Sequence, residues 1–169
     1  MDINSVHLKV YTDASFNNLH DGNSQGGYVV LLCDKENQCM PIAWSSNKLK
    51  RVAKSTLAAE TLAFSVGTDV AHYMMKLLSE ILHHDDQKLS ISVECYTDSR
   101  SLFEAAGTSN LVSDCRLRVK VSAIREMIYK NEINIKWIEK AKQLSDVLTK
   151  KGASPEFLMS TIKSERLTK

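Results

Sequence analysis

Alternating apolar and polar positions from Val6 to Asp13 (VHLKVYTD), with β-branched and aromatic residues prominent, predict a first strand. Asn17 to Gly27 is dense in Asn, Asp, Ser and Gly and predicts a loop. Gly27 to Cys33 (GYVVLLC) is almost continuously apolar, which predicts a central strand. The short polar stretch Asp34 to Gln38 predicts a hairpin into a third strand, Cys39 to Ser45. The period then changes. Ala59, Leu62, Ala63, Val66, Val70, Tyr73, Met74, Leu77, Leu78 and Ile81 recur at three- and four-residue steps. That spacing predicts a long helix from about Ser55 to His83, with those residues on its buried face. Ser55 or Thr56 can cap it. Leu89 to Thr97 predicts a fourth strand, Ser99 to Gly107 a short helix, and Ser113 to Tyr129 an amphipathic helix broken at Asn131. Ile133 to Ile138 predicts a fifth strand, and Gln143 to Lys150 a helix ended by Gly152.

The order β-β-β-α-β-α-α-β-α implies an α/β domain with a mixed sheet: three hairpin-linked strands, then strand–helix alternation. Right-handed crossovers put strands 4 and 5 parallel to strand 1. A catalytic domain over residues 1–152 is expected, with a tail, 153–169, that can form one more helix. At 169 residues the chain is long enough for one domain with a proper core. No apolar run approaches the roughly 18 residues of a membrane span, so no membrane partner is expected. Cys33, Cys39, Cys95 and Cys115 match no zinc spacing and read as buried, reduced thiols.

The net charge of +2 conceals an uneven distribution. Residues 1–46 are acidic on balance. Lys48, Lys50, Arg51 and Lys54 follow with no acid among them, and residues 116–151 carry ten basic residues against four acidic ones. A basic surface beside an acidic site suits a polyanion held next to bound metal. Solvated lysines on helix faces are the alternative.

Four carboxylates stand where chemistry is to be expected. Asp13 ends strand 1 in YTDAS, and Asp98 ends strand 4 in YTDSR. Parallel neighbouring strands would bring both to one carboxyl edge of the sheet, where open α/β sheets place their sites. Glu60 lies about one turn into the long helix among Leu57, Ala58, Ala59, Leu62 and Ala63, and is costly to bury there unless a cation meets it. Asp146 lies in the last helix among apolar residues. Singly, these residues read equally well as caps, a first-turn acid and a surface acid. Together they repel one another unless neutralised. An all-oxygen set suits Mg²⁺ or Mn²⁺ rather than zinc.

The order strand–Asp, helix–Glu, strand–Asp, helix–Asp resembles the ribonuclease H family. The resemblance is greatest to the ribonuclease H domain of the Pol polyprotein of copia-type LTR retrotransposons. YTDAS (11–15), AWSS (43–46), STLAAE (55–60), TDS (97–99), AIREM (123–127) and QLSDVLTK (143–150) carry it. It implies a five-stranded sheet in the order 3-2-1-4-5, and an endonuclease cutting the RNA strand of RNA–DNA hybrids. Two Mg²⁺ or Mn²⁺ ions roughly 3.5–4 Å apart would stabilise the attacking and leaving oxygens. Asp13 would bridge both, Asp146 would complete the ion that activates water, and Glu60 and Asp98 would complete the other.

The resemblance also makes Ser55, five positions before Glu60, a candidate contact for a DNA-strand phosphate. Ser15, Thr56 and Ser99 beside the acids, and Lys48, Lys50 and Arg51 along the backbone track, are further substrate-binding candidates. It implies an adjacent reverse transcriptase domain in the same polyprotein and an intracellular setting, in a cytoplasmic virus-like particle, the nucleus or both.

Two departures stand out. No His precedes Asp146 in the stretch 138–145, where many cellular relatives have one, and no basic extension is evident between Gly107 and Ser113. Trp44 and Trp137 read as core residues, and His83-His84-Asp85-Asp86 as a solvated loop. An integrase or exonuclease on the same fold is disfavoured by the later acids. A non-catalytic nucleic-acid-binding or assembly module remains the second reading.

Overall fold

The computed structural model describes residues 5–82, 91–108 and 112–167. The histidine–aspartate stretch 83–86 and the expected start of the fourth strand lie outside the described residues. The elements run β1 (His7–Ser15), β2 (Gln25–Cys33), β3 (Cys39–Lys48), α1 (Thr56–Ile81), β4 (Val93–Thr97), α2 (Arg100–Gly107), α3 (Cys115–Tyr129), β5 (Asn134–Trp137), α4 (Asp146–Thr149) and α5 (Glu156–Ser164).

The sheet order is β3-β2-β1-β4-β5. β1 pairs antiparallel with β2 and parallel with β4, β2 pairs antiparallel with β3, and β4 parallel with β5. This is the expected mixed sheet, and it makes β1 central. Pro41 sits beside the one register shift between β2 and β3, on an edge strand where a missing N–H costs least.

Two apolar layers sandwich the sheet. On one face Leu8, Val10, Val30, Val93 and Cys95 meet Phe64 and Ala71 of α1, Leu102 of α2 and Ile124 of α3. On the other, Tyr11, Val29, Leu31, Cys33 and Cys39 meet Leu144, with Phe157 and Leu158 of α5 packed against them. The bend into the hairpin is held by Asp34, whose Oδ1 accepts from the amides of Glu36 and Gln38. Asn131, with φ +56°, ends α3. Its N–H donates to the carbonyl of Ile128 and that of Glu132 to Met127, so the left-handed residue satisfies two terminal carbonyls.

Four expectations need correction. The apolar stripe expected to be buried on α1 is turned partly outward, with Val66 50% and Tyr73 64% exposed. The face that meets the sheet instead carries Ala59, Glu60, Ala63, Phe64, Gly67 and Ala71. The reason is closeness: a Cβ on Gly67 would stand 2.6 Å from Thr12 Cγ2, so small residues bring the helix axis down where larger ones would hold it off.

The last helix, expected over 143–150, shrinks to Asp146–Thr149 after a 3₁₀ turn at Lys140–Lys142. Gln143 is drawn into the core, where its amide donates to the Thr12 carbonyl. Trp44 (66% exposed) and Trp137 (37%) are surface residues, not core. Cys115 is exposed at the start of α3, while Cys33, Cys39 and Cys95 are buried.

Candidate metal centre

The parallel β1–β4 pairing carries the chains of both strands to the same edge of the sheet, where Asp13 and Asp98 stand side by side. Glu60 reaches them from above because Ser55 starts α1 at the right height. The Ser55 hydroxyl accepts from the Ala58 N–H at 3.1 Å, as an N-cap does. Gly67, two turns on, then lets the helix settle on β1. Asp13, Glu60 and Asp98 each offer a carboxylate oxygen within 4.8 Å of the others. Asp146 stands outside that group and joins it through a lysine. Lys150 Nζ lies 3.0 Å from Asp13 Oδ1 and donates also to Asp146 Oδ1.

Asp13 is fully buried and Glu60 is 6% exposed. Burial pushes the Asp13 carboxyl above its ordinary value, against hydrogen bonds from Thr149 and Lys150 that pull it down. Burial, then repulsion from Asp13 and Asp98, pushes Glu60 up to about 9. One Glu60 oxygen, Oε2, is buried with no hydrogen-bond partner. A buried orphan carboxylate oxygen among two other acids is an arrangement that a hard cation relieves. The chemistry of the donor set therefore fits a hard divalent cation, which Asp13, Glu60 and Asp98 could hold.

The supporting shell was not foreseen from sequence. α4 docks against Asp13 because its strand partner across β2 is Gly27, where a Cβ would meet Leu148 Cβ and Thr149 Cγ2 at 2.9 Å. The Thr149 hydroxyl donates to Asp13 Oδ2. Asn18 Nδ2 donates to the Thr149 carbonyl and Gln25 Nε2 to that of Leu148, at 3.1 and 3.0 Å. On the other side, Trp137 Nε1 donates to the Asp98 carbonyl at 3.1 Å, with the Arg100 guanidinium 4.8 Å from the indole centre. The usable sequence signal for Lys150 was its place four residues after Asp146, where an acid and a base share one helix face.

The substrate-binding candidates divide. Ser99 caps α2, accepting from the Leu102 N–H at 3.3 Å, and Ser15 ends β1. Thr56 opens α1 and is exposed. Lys50 and Arg51 line a cleft of about 410 Å³ between β3 and α1, with Lys48 at its rim in an ion pair with Asp21. Arg51 and Lys54 continue into a second cleft, which Arg116 and Lys120 of α3 close. The two clefts share Arg51 and Lys120, so basic residues of two distant sequence segments line one surface.

No protein-family model and no curated protein sequence matches the chain. Solved structures do. The chain is similar to the RNase H1 of the halophilic archaeon Halobacterium salinarum NRC-1, at TM-score 0.57 and 16% identity, over 85% of this chain and 94% of that one. It is similar to LC11-RNase H1, isolated from compost by a metagenomic approach, at TM-score 0.58 and 16% identity, over 85% and 92%. It is also similar to part of a foamy viral protease–reverse transcriptase in complex with an RNA/DNA hybrid. There the TM-score is 0.58 and the identity 16%, over 88% of this chain and 20% of that one. The fold is that of ribonucleases H.

Proposed function

We propose that the chain is a metal-dependent ribonuclease that hydrolyses the RNA strand of RNA–DNA hybrids. The observation that carries this reading is the convergence of Asp13, Glu60 and Asp98 at the carboxyl edge of a ribonuclease H fold, with a buried unpartnered oxygen on Glu60. Asp13, Glu60, Asp98 and Asp146 would hold two Mg²⁺ or Mn²⁺ ions. Bound ions of this kind supply an activated water and neutralise the leaving oxygen.

The chain's own groups do the rest. Thr149 orients Asp13 by its hydrogen bond, and Trp137 pins the turn that carries Asp98. Glu60 accepts a hydrogen bond from a ribose 2′-hydroxyl, which distinguishes RNA from DNA. Ser55 and Thr56 at the start of α1, with Ser15 and Ser99 at the strand ends, contact phosphates. Lys48, Lys50 and Arg51 track the backbone, so that binding weakens as salt rises.

LC11-RNase H1 and the foamy viral protein are each known in complex with an RNA/DNA hybrid, which supports the choice of substrate. On the segments STLAAE, TDS and QLSDVLTK the reading extends to a copia-type retrotransposon Pol protein, adjacent to a reverse transcriptase and acting in a virus-like particle or the nucleus. Its catalytic unit is residues 1–152.

The test is cleavage of a labelled RNA–DNA hybrid beside double-stranded RNA and double-stranded DNA, in Mg²⁺, in Mn²⁺ and in chelator. Metal-dependent cutting of the hybrid's RNA strand alone is expected. Binding of hybrid by folded protein without cutting in either metal would replace this reading with that of a binding module.

A further inference from the structure

Both oxygens of Asp13 are engaged from α4 and the residue that caps it. Oδ2 accepts from Thr149 and Oδ1 from the Lys150 ammonium, 3.0 Å away. The same ammonium binds Asp146 Oδ1. A single cation therefore already joins the two carboxylates that come from opposite ends of the chain. Its backbone is fixed, since the Lys150 N–H donates to the Asp146 carbonyl at 3.0 Å. Its side chain is not sealed in: it is 28% exposed, while that of Asp13 is fully buried. The four-carbon stem thus has a way out to solvent that the aspartate lacks.

We propose that Lys150 is a resident counter-cation of this cluster, which holds Asp13 and Asp146 together until a divalent ion displaces its ammonium from Asp13. This inference rests on the reading of the cluster as a metal centre. An ammonium and a divalent ion cannot both sit against Asp13 Oδ1 without strong repulsion, so the two compete. Lys150 thereby positions the acids for metal entry rather than acting on the substrate. Competition has two consequences that a plain structural brace would not have. Removing the charge should weaken the metal-free protein and tighten its metal binding at the same time, and bound metal should erase the difference in stability.

The experiment compares wild type with Lys150→Met and Lys150→Arg. Mn²⁺ titration is followed by calorimetry, and thermal unfolding is measured in chelator and in saturating Mn²⁺. Lys150→Met should bind Mn²⁺ about ten-fold tighter or more. It should melt below wild type in chelator and level with it in Mn²⁺. Lys150→Arg, which keeps the charge, should bind Mn²⁺ as wild type does. Should Lys150→Met fail to fold, Lys150→Gln serves in the same comparison.

Unchanged or weaker Mn²⁺ binding by the uncharged variant, or a melting deficit that persists in Mn²⁺, would make Lys150 a brace and overturn the proposal. Tighter binding by Lys150→Arg as well would also overturn it. Failure of the metal reading looks different. Neither wild type nor the uncharged variant would then bind Mn²⁺ more tightly than an Asp13→Asn control, and this inference would fall with that reading.

Discussion

Glu60→Gln is expected to stabilise the metal-free protein while removing its activity. The Glu60 carboxyl is pushed up from 4.5 to about 9 by burial, with Asp13 and Asp98 adding to it. A group with a raised carboxyl value binds its proton more tightly in the folded state. The fold therefore carries no penalty below pH 4.5, and loses stability steadily as pH rises toward 9. At 1.36 kcal/mol for each pH unit, the full loss is on the order of 6 kcal/mol, of which roughly 3 kcal/mol has accrued by pH 7.

Glutamine keeps the size and drops the charge, but leaves a buried amide imperfectly paired, at about 1 kcal/mol. The net gain at pH 7 is about 2 kcal/mol, or roughly 4–8 °C in Tm for a chain of this length. The assay is thermal unfolding of both proteins in chelator between pH 4 and 9, repeated in Mn²⁺. The variant should be slightly less stable at pH 4.5, match wild type at about pH 5, gain as pH rises further, and give way to a wild-type advantage in Mn²⁺. Equal Tm values in chelator at pH 8, or a difference that does not change with pH, would refute the reasoning.

Asp98→Asn should abolish hybrid cleavage while leaving the circular dichroism spectrum and Tm close to wild type; full activity would remove Asp98 from the site. Gly67→Ala should cost about 1–3 kcal/mol through overpacking against Thr12 and Tyr28. It should also lower activity by lifting Glu60 off Asp13, and a more stable, fully active variant would show that the close approach of α1 is dispensable. Replacing Lys50 and Arg51 with Ala should weaken hybrid binding and reduce the salt slope by about one to two; an unchanged slope in a filter-binding series would reject their cleft as the phosphate track. Trp137→Phe, which removes the hydrogen bond to the Asp98 carbonyl, should reduce cleavage more than it reduces Tm, read by parallel rate and melting measurements.

The element order was legible in the sequence because each element announces itself locally. The strands alternate or run apolar, α1 repeats at three and four, and Asn131 ends α3. The hairpins and right-handed crossovers then constrain the sheet closely. Asp13, Glu60 and Asp98 were legible for a related reason: each sits beside a local element boundary, and the β1–β4 pairing brings two such boundaries to one edge.

The facing of α1 was not legible. Periodicity finds the larger apolar residues, but the sheet selects the face that allows the closest approach, and that face carries Gly67, alanines and a charged Glu60. Gln143 and the shortened α4 were hidden because a buried glutamine bonding to the Thr12 carbonyl outweighs local helix preference. For Lys150 the sequence offered only its spacing four residues after Asp146, and tertiary structure alone set its ammonium against Asp13, some 137 residues away in sequence. Sequence alone determined which elements form and which acids lie at their ends, since both depend on neighbours along the chain. Tertiary structure decided which faces are buried and which charges meet, because those depend on packing distance and on groups far apart in the chain.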